Sequence, residues 1–161
     1  MFRLFLLINL LLVLSVSPAF GSEVIIPAGT ELSVVSSSII NTSSMNVGDE
    51  ANFTLASDVA GVSVLIPKGT ELLGRVVEVE KFDGDKGESR VVLMFDFVKV
   101  GEEFYAITAV VISTTTDLKG LKIENSKEFD GCTKMSMKGG EMNIAAGTTF
   151  KLKVLTDVTN E

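Results

Sequence analysis

Ile26-Pro27-Ala28-Gly29-Thr30-Glu31-Leu32 and Ile66-Pro67-Lys68-Gly69-Thr70-Glu71-Leu72 agree at all but one position and lie 40 residues apart. A shorter copy, Ala145-Ala146-Gly147-Thr148-Thr149-Phe150, recurs near the end of the chain. The chemistry of the pattern is that of a chain reversal. Proline pre-sets φ at a corner, and the glycine two residues later enters the left-handed region that other residues resist. An apolar strand leads in and a β-branched threonine opens the return strand. Pro27, Gly29, Pro67, Gly69 and Gly147 are therefore read as structural turn residues. Two long copies argue for two equivalent corners of one sheet system and are too few for a solenoid.

Outward from these corners the apolar residues alternate. Leu32 and Val34 oppose Glu31 and Ser33, and Ala51, Phe53 and Leu55 oppose Glu50, Asn52 and Thr54. Val91, Leu93, Phe95 and Phe97 form a further stripe, as do Phe150, Leu152 and Val154. Side chains on a strand point to opposite faces with a period of two, so each segment buries one face and wets the other. The pattern predicts strands near 23–26, 30–37, 50–58, 62–66, 70–81, 89–99, 103–112 and 148–156, and no helix of ten residues or more after the N-terminal apolar run. Residues 113–140, rich in Ser, Thr, Lys and Gly, read as a long polar excursion with short strands at most. The expected fold is all-β: a single distorted barrel or sandwich of about eight mostly antiparallel strands.

Several of these segments carry a resemblance. In order they are Ile26 to Thr30, Val47-Gly48-Asp49-Glu50-Ala51, Val64 to Val76, Arg90-Val91-Val92-Leu93-Met94-Phe95-Asp96 and Val100-Gly101-Glu102. Together they resemble the C-terminal β-barrel of the TrbI-like conjugation proteins, the envelope-spanning scaffold of type IV secretion machines. They are equally similar to small, stand-alone exported proteins built on that barrel. The match covers roughly residues 24–112 and returns at about 142–156, with the second corner and its Leu-Leu-Gly-Arg as the most specific part. The resemblance implies a barrel that assembles with neighbours in or under the outer membrane. Two departures limit it. Where the family's full scaffold has an inner-membrane helix and a proline-rich linker, this sequence is expected to pass from a cleavable signal straight into the barrel. The stretch matching the family's outer-membrane helical pair holds Asp117, Lys119, Lys122, Glu124, Lys127, Glu128 and Asp130, which do not fit lipid.

The N-terminus reads as a secretory signal at 1–21. Arg3 supplies the charged start, Leu4 to Val16 the apolar middle, and Ala19 and Gly21 the small residues before a cut at Ser22. Residues 22–161 then form one domain, exported to the periplasm with no integral membrane segment after processing. That portion holds 13 basic and 21 acidic residues, a net charge of −8. The balance disfavours nucleic acid and anionic lipid, which need clustered Lys and Arg.

Catalysis finds little footing. The chain has no histidine, so neither a Ser-His-Asp nor a Cys-His arrangement can be built. Cys132 has no second cysteine to bridge and reads as a small, partly buried side chain with a free thiol, or else as an intermolecular or redox-active one. Met135, Met137 and Met142 beside Cys132 are soft ligands that suit Cu(I), but methionines spaced by two also describe a core-facing strand. Asp83-Gly84-Asp85-Lys86-Gly87-Glu88 brings three carboxylates into a glycine-rich loop, short of a full calcium set. Arg75 and Arg90 are expected to pair across strands with Glu78, Glu80 or Asp96. No cofactor, catalytic residue or metal ligand is assigned. The expected role is a non-catalytic envelope protein acting on other envelope proteins, with the oligomeric state open. The alternative is a periplasmic module holding a small apolar or glycan ligand in the barrel.

Overall fold

The computed structural model describes residues 22–85, 87–125 and 131–160. The expected signal peptide, with Ala19 and Gly21, lies outside the described residues. Among those described, the chain forms strands and no helix. In chain order the strands are β1 (Glu23–Ile26), β2 (Glu31–Ser36), β3 (Ile40–Asn41), β4 (Glu50–Leu55), β5 (Val59–Ala60), β6 (Leu65–Ile66), β7 (Glu71–Glu80) and β8 (Glu88–Val100). There follow β9 (Glu103–Ala106), β10 (Ala109–Thr114), β11 (Leu121–Asn125), β12 (Cys132–Lys138), β13 (Asn143–Ile144), β14 (Thr149–Val154) and β15 (Val158–Asn160).

The corners form as three copies of one turn. The N–H groups of Thr30 and Thr70 each donate to the carbonyl of Pro27 and Pro67 at 3.2 Å, and that of Thr148 to Ala145 at 3.3 Å. Gly29, Gly69 and Gly147 each sit at φ +86°, the third position of a type II turn. Proline thus occupies the first position of the turn, one place earlier than its fixed φ suggests. Its carbonyl takes a second bond, at 2.7 Å, from the hydroxyl of Thr30, Thr70 or, on Ala145, Thr148. Since Ala145 supports the same bonds without proline, glycine and threonine are the residues that define the corner.

Each corner also clamps the end of a neighbouring strand. Gly29, Gly69 and Gly147 donate at 2.8 Å to the carbonyls of Val154, Leu55 and Ser36. Those three residues donate back at 2.9 Å to the carbonyls of Thr30, Thr70 and Thr148. A fourth turn, Asn46 to Asp49 with Gly48 at φ +92°, exchanges the same two bonds with Val76. The β2–β14 and β4–β7 ladders are therefore closed at both ends. Such a clamp pins register where a slip of one residue would turn every core side chain to solvent.

The main sheet runs β10-β14-β2-β4-β7-β8-β12-β11, antiparallel throughout, with β9 attached to β8. It is nearly closed into a barrel. At the seam, the N–H of Val111 on β10 donates at 2.7 Å to the buried Thr133 hydroxyl on β12. Two-stranded sheets β1–β15, β13–β3 and β5–β6 sit at the three corners. Inside, Phe53 packs at 5.2 Å from Phe95 and edge-on at 5.9 Å from Phe150. Aromatic pairs of this kind each contribute about 0.5–1.5 kcal/mol beyond the area they bury. Leu32, Val34, Leu72, Leu93, Met135 and Leu152 surround the stack.

Three expectations need correcting. The β8 stripe ends at Phe95, because register slips between Leu73–Phe97 and Gly74–Phe95 and leaves Asp96 as an extra residue. That bulge sends Phe97 outward and Val98 into the core. The strand expected at 103–112 is two strands. At the break Ile107 donates to Asp96 beside β8 while Thr108 accepts from Leu155 behind β14, so the chain changes neighbours there. Residues 113–140 are not merely an excursion: β12 pairs with β8 from Cys132–Met94 to Lys138–Glu88, and β11 pairs with β12. Its short polar side chains are buried because they find partners. Thr133 accepts from Val111, and Ser89 on β8 donates to the Gly140 carbonyl at 2.9 Å.

Two substitution sets test these devices. Gly69→Ala, at positive φ, is expected to lower unfolding free energy by about 1–2 kcal/mol, whereas Gly84→Ala, outside the left-handed region and open to space, leaves the denaturation midpoint unchanged. Thr133→Val keeps the side chain's shape but strands the buried Val111 amide. It should cost about 1–3 kcal/mol, with faster hydrogen exchange at Val111 and its seam neighbours, while Thr133→Ser retains most of the stability.

Candidate interaction groove

The change of neighbours at residues 107–108 leaves β9 hanging from the far end of β8. Among the described residues β9 pairs with β8 alone, and β15 with β1 alone. Between β9 and β15 runs a surface groove of about 680 Å³, lined by Phe97, Phe104, Tyr105, Asp157, Thr159 and Asn160 among others. Phe97 pairs with Ala106 and Lys99 with Phe104, so these four share the outer face. Phe104 is 54% exposed and Phe97 44%. The ammonium of Lys99 stands 5.8 Å from the Phe104 ring centre. Tyr105 turns the other way and packs on the core, its hydroxyl donating to Glu103. That bond to a carboxylate holds the phenol above its usual pKa, helped by burial and by the charges of Glu103 and Glu23.

Asp157 belongs to a repeat the sequence reading passed over. Its carboxylate accepts from the Ala28 amide at 2.7 Å, and Asp58 accepts from the Lys68 amide at the same distance. Both bonds cap the second residue of a corner. The signal is present in the chain as Leu55-Ala56-Ser57-Asp58-Val59 against Val154-Leu155-Thr156-Asp157-Val158. Around Ser57 and Asp58 lies a smaller groove of about 360 Å³, lined also by Glu31, Ser33 and Lys151. It occupies the equivalent place, since Ala56 donates to Ser33 as Leu155 donates to Thr108. It has no aromatic lining, and the β2 strand beneath it is paired on both sides.

The residues singled out from sequence fall in separate places. Pro27, Gly29, Pro67, Gly69 and Gly147 all lie in corners. Cys132 is buried on the face of β12 opposite Met135 and Met137, so these soft ligands do not converge. Burial pushes its thiol up in pKa, with Arg75 pulling the other way. Met135 and Met142 are core residues. Arg75 pairs with Asp96 at 3.5 Å, and Arg90 bridges Glu78 and Glu80, the latter at 3.0 Å. In the 83–88 loop an Asp83 carboxylate oxygen accepts from the Asp85 amide at 3.1 Å. No cluster of three or more His, Cys, Asp or Glu side chains suited to a metal occurs among the described residues.

No protein-family model matches the chain, and no curated protein matches it. Among solved structures it is similar to ComB10 of the Com type IV secretion system of Helicobacter pylori, at 12% identity and a TM-score of 0.49. The alignment covers 84% of this chain and 90% of that one. It assigns no residue a role.

Tyr105 is the single tyrosine and the chain has no tryptophan, so it reports on the groove alone. In an ultraviolet titration its phenol is expected to ionise above the ordinary value of 10.0. Glu103→Gln removes the acceptor charge and should bring the midpoint down. An identical midpoint in both proteins would show that Glu103 does not hold the hydroxyl.

Proposed function

We propose that the protein is a non-catalytic component of a bacterial cell envelope, exported to the periplasm and acting through protein–protein contact. The observation that carries this reading is the distribution of its aromatic side chains. Phe53, Phe95 and Phe150 fill the barrel, while Phe97 and Phe104 stand exposed beside a free strand edge. A filled interior leaves rigid outer surfaces as the working part. The absence of histidine anywhere in the chain argues in the same direction. The likeness of the corner sequences to the TrbI-like barrel adds a structural or assembly role in or under the outer membrane. A binding module with its ligand inside the barrel would need the space that the phenylalanine stack occupies.

Export follows from the charged start, apolar run and small residues at Ala19 and Gly21. Fractionation with N-terminal sequencing should recover a chain beginning at Ser22 in the periplasmic fraction. Cross-linking in intact envelopes should capture the same envelope proteins reproducibly. A cytoplasmic chain that retains Met1 would remove the export reading. A chain that leaves the envelope uncross-linked and carrying a stoichiometric small molecule would replace the contact reading with the ligand one.

A further inference from the structure

We infer that the free edge of β9 takes up an extended, basic segment of a partner protein as an added strand along the β9–β15 groove. The inference rests on the contact reading above and names its site and the chemistry of its partner.

The backbone comes first. Ile107 donates to Asp96, which makes that couple a hydrogen-bonded pair of the antiparallel β8–β9 ladder. Bonded and non-bonded pairs alternate along such a ladder. Glu103 and Tyr105 therefore direct their amides and carbonyls toward β8, whereas Phe104 and Ala106 direct theirs outward. No strand pairs with them there among the described residues. Native proteins usually blunt such an edge with proline, bulges or charged side chains. This one is short and carries Glu103, yet it also presents Phe104 and Ala106, with Phe97 alongside, above an open groove. That is the geometry in which an extended peptide gains main-chain bonds from the edge and specificity from alternate side chains.

Charge decides the occupant. Glu102 and Glu103 flank the start of β9, Asp157 lines the groove, and Glu23 lies close enough to act on Tyr105. Against these acids stands Lys99, already placed over the Phe104 ring. A second copy of this chain, itself strongly acidic, would set carboxylates against carboxylates. A strand alternating apolar with Lys or Arg residues fits both sets of side chains. Its apolar members lie along Phe97 and Phe104, and its cations, directed to the other face, meet Glu103 and Asp157.

The test uses the purified protein and a labelled ten-residue peptide alternating lysine and valine, with a glutamate–valine peptide as comparison. The basic peptide should raise its anisotropy on binding and change Tyr105 emission, while the acidic peptide does neither. Ala106→Pro removes an outward amide without touching the β8 ladder and should weaken binding roughly tenfold. Reversing Glu102 and Glu103 to lysine should weaken it by about as much and flatten its salt dependence. Hydrogen exchange supplies a readout independent of substitution, with Phe104 and Ala106 amides becoming protected in the complex. Absence of binding, equal binding by the acidic peptide, or a complex without protection at those two amides would overturn the inference. So would a concentration-dependent dimer of this chain that Ala106→Pro abolishes, which would make a second copy the occupant. Envelope cross-linking that succeeds while the peptide fails would leave the contact reading standing without this site.

Discussion

A glycine at positive φ, a threonine bonded twice to one carbonyl, and the pair of main-chain bonds that tie them to a neighbouring strand form the constraint on which the barrel depends. Left-handed backbone costs an ordinary residue about 1–2 kcal/mol, so a corner that needs it is written as glycine. Once made, the corner holds two strands at a set offset instead of merely reversing one. The β2–β14 and β4–β7 ladders are gripped in this way at both ends. Phe53 and Phe150, on β4 and β14, can stack only in that register. Local turn chemistry and the aromatic core are thus two expressions of the same restraint.

The restraint is repeated, and the repeat explains the smaller sheets. After Leu55, Val154 and Ser36 the chain runs into β5, β15 and β3, each of which pairs with the strand that feeds the corner docked on that residue. Asp58 and Asp157 cap two of the three corners. Where the copies diverge, surface features appear. Behind β4 the neighbour is β2, a strand with partners on both sides. Behind β14 the neighbour is the junction of β9 and β10, where the chain has just left β8. The larger groove and the free edge arise from that single change of partner.

Polar groups are placed to suit this frame. Buried hydroxyls at Ser89 and Thr133 have partners, so their burial costs little. Arg75 and Arg90 are occupied by carboxylates on adjacent strands, which leaves them as parts of the sheet surface. Glu103 and Asp157 both line the groove. Among the described residues the buried side chains are apolar or small hydroxyls, and the charged groups lie outside.

Much of this was legible in the chain. Period-two stripes at residues 31–36, 50–55 and 149–154 give their burial directly, because a pleated strand exposes alternate residues whatever it pairs with. The corners were readable because left-handed backbone selects glycine locally. Other features depended on partners distant in sequence. The inward or outward fate of Phe97 rests on the bulge at Asp96, which exists only opposite Gly74, where an added side chain would meet two backbone oxygens at 2.9 Å. The polar run containing Thr133 became a barrel strand because β8 offered it a ladder from Met94 to Glu88, and the Thr133 hydroxyl found the Val111 amide across the seam. The split at residues 107–108, and with it the groove, required β8 and β14 to compete for one segment. Sequence determines what each residue can tolerate alone; which neighbour it meets is set by packing, and that decided the site.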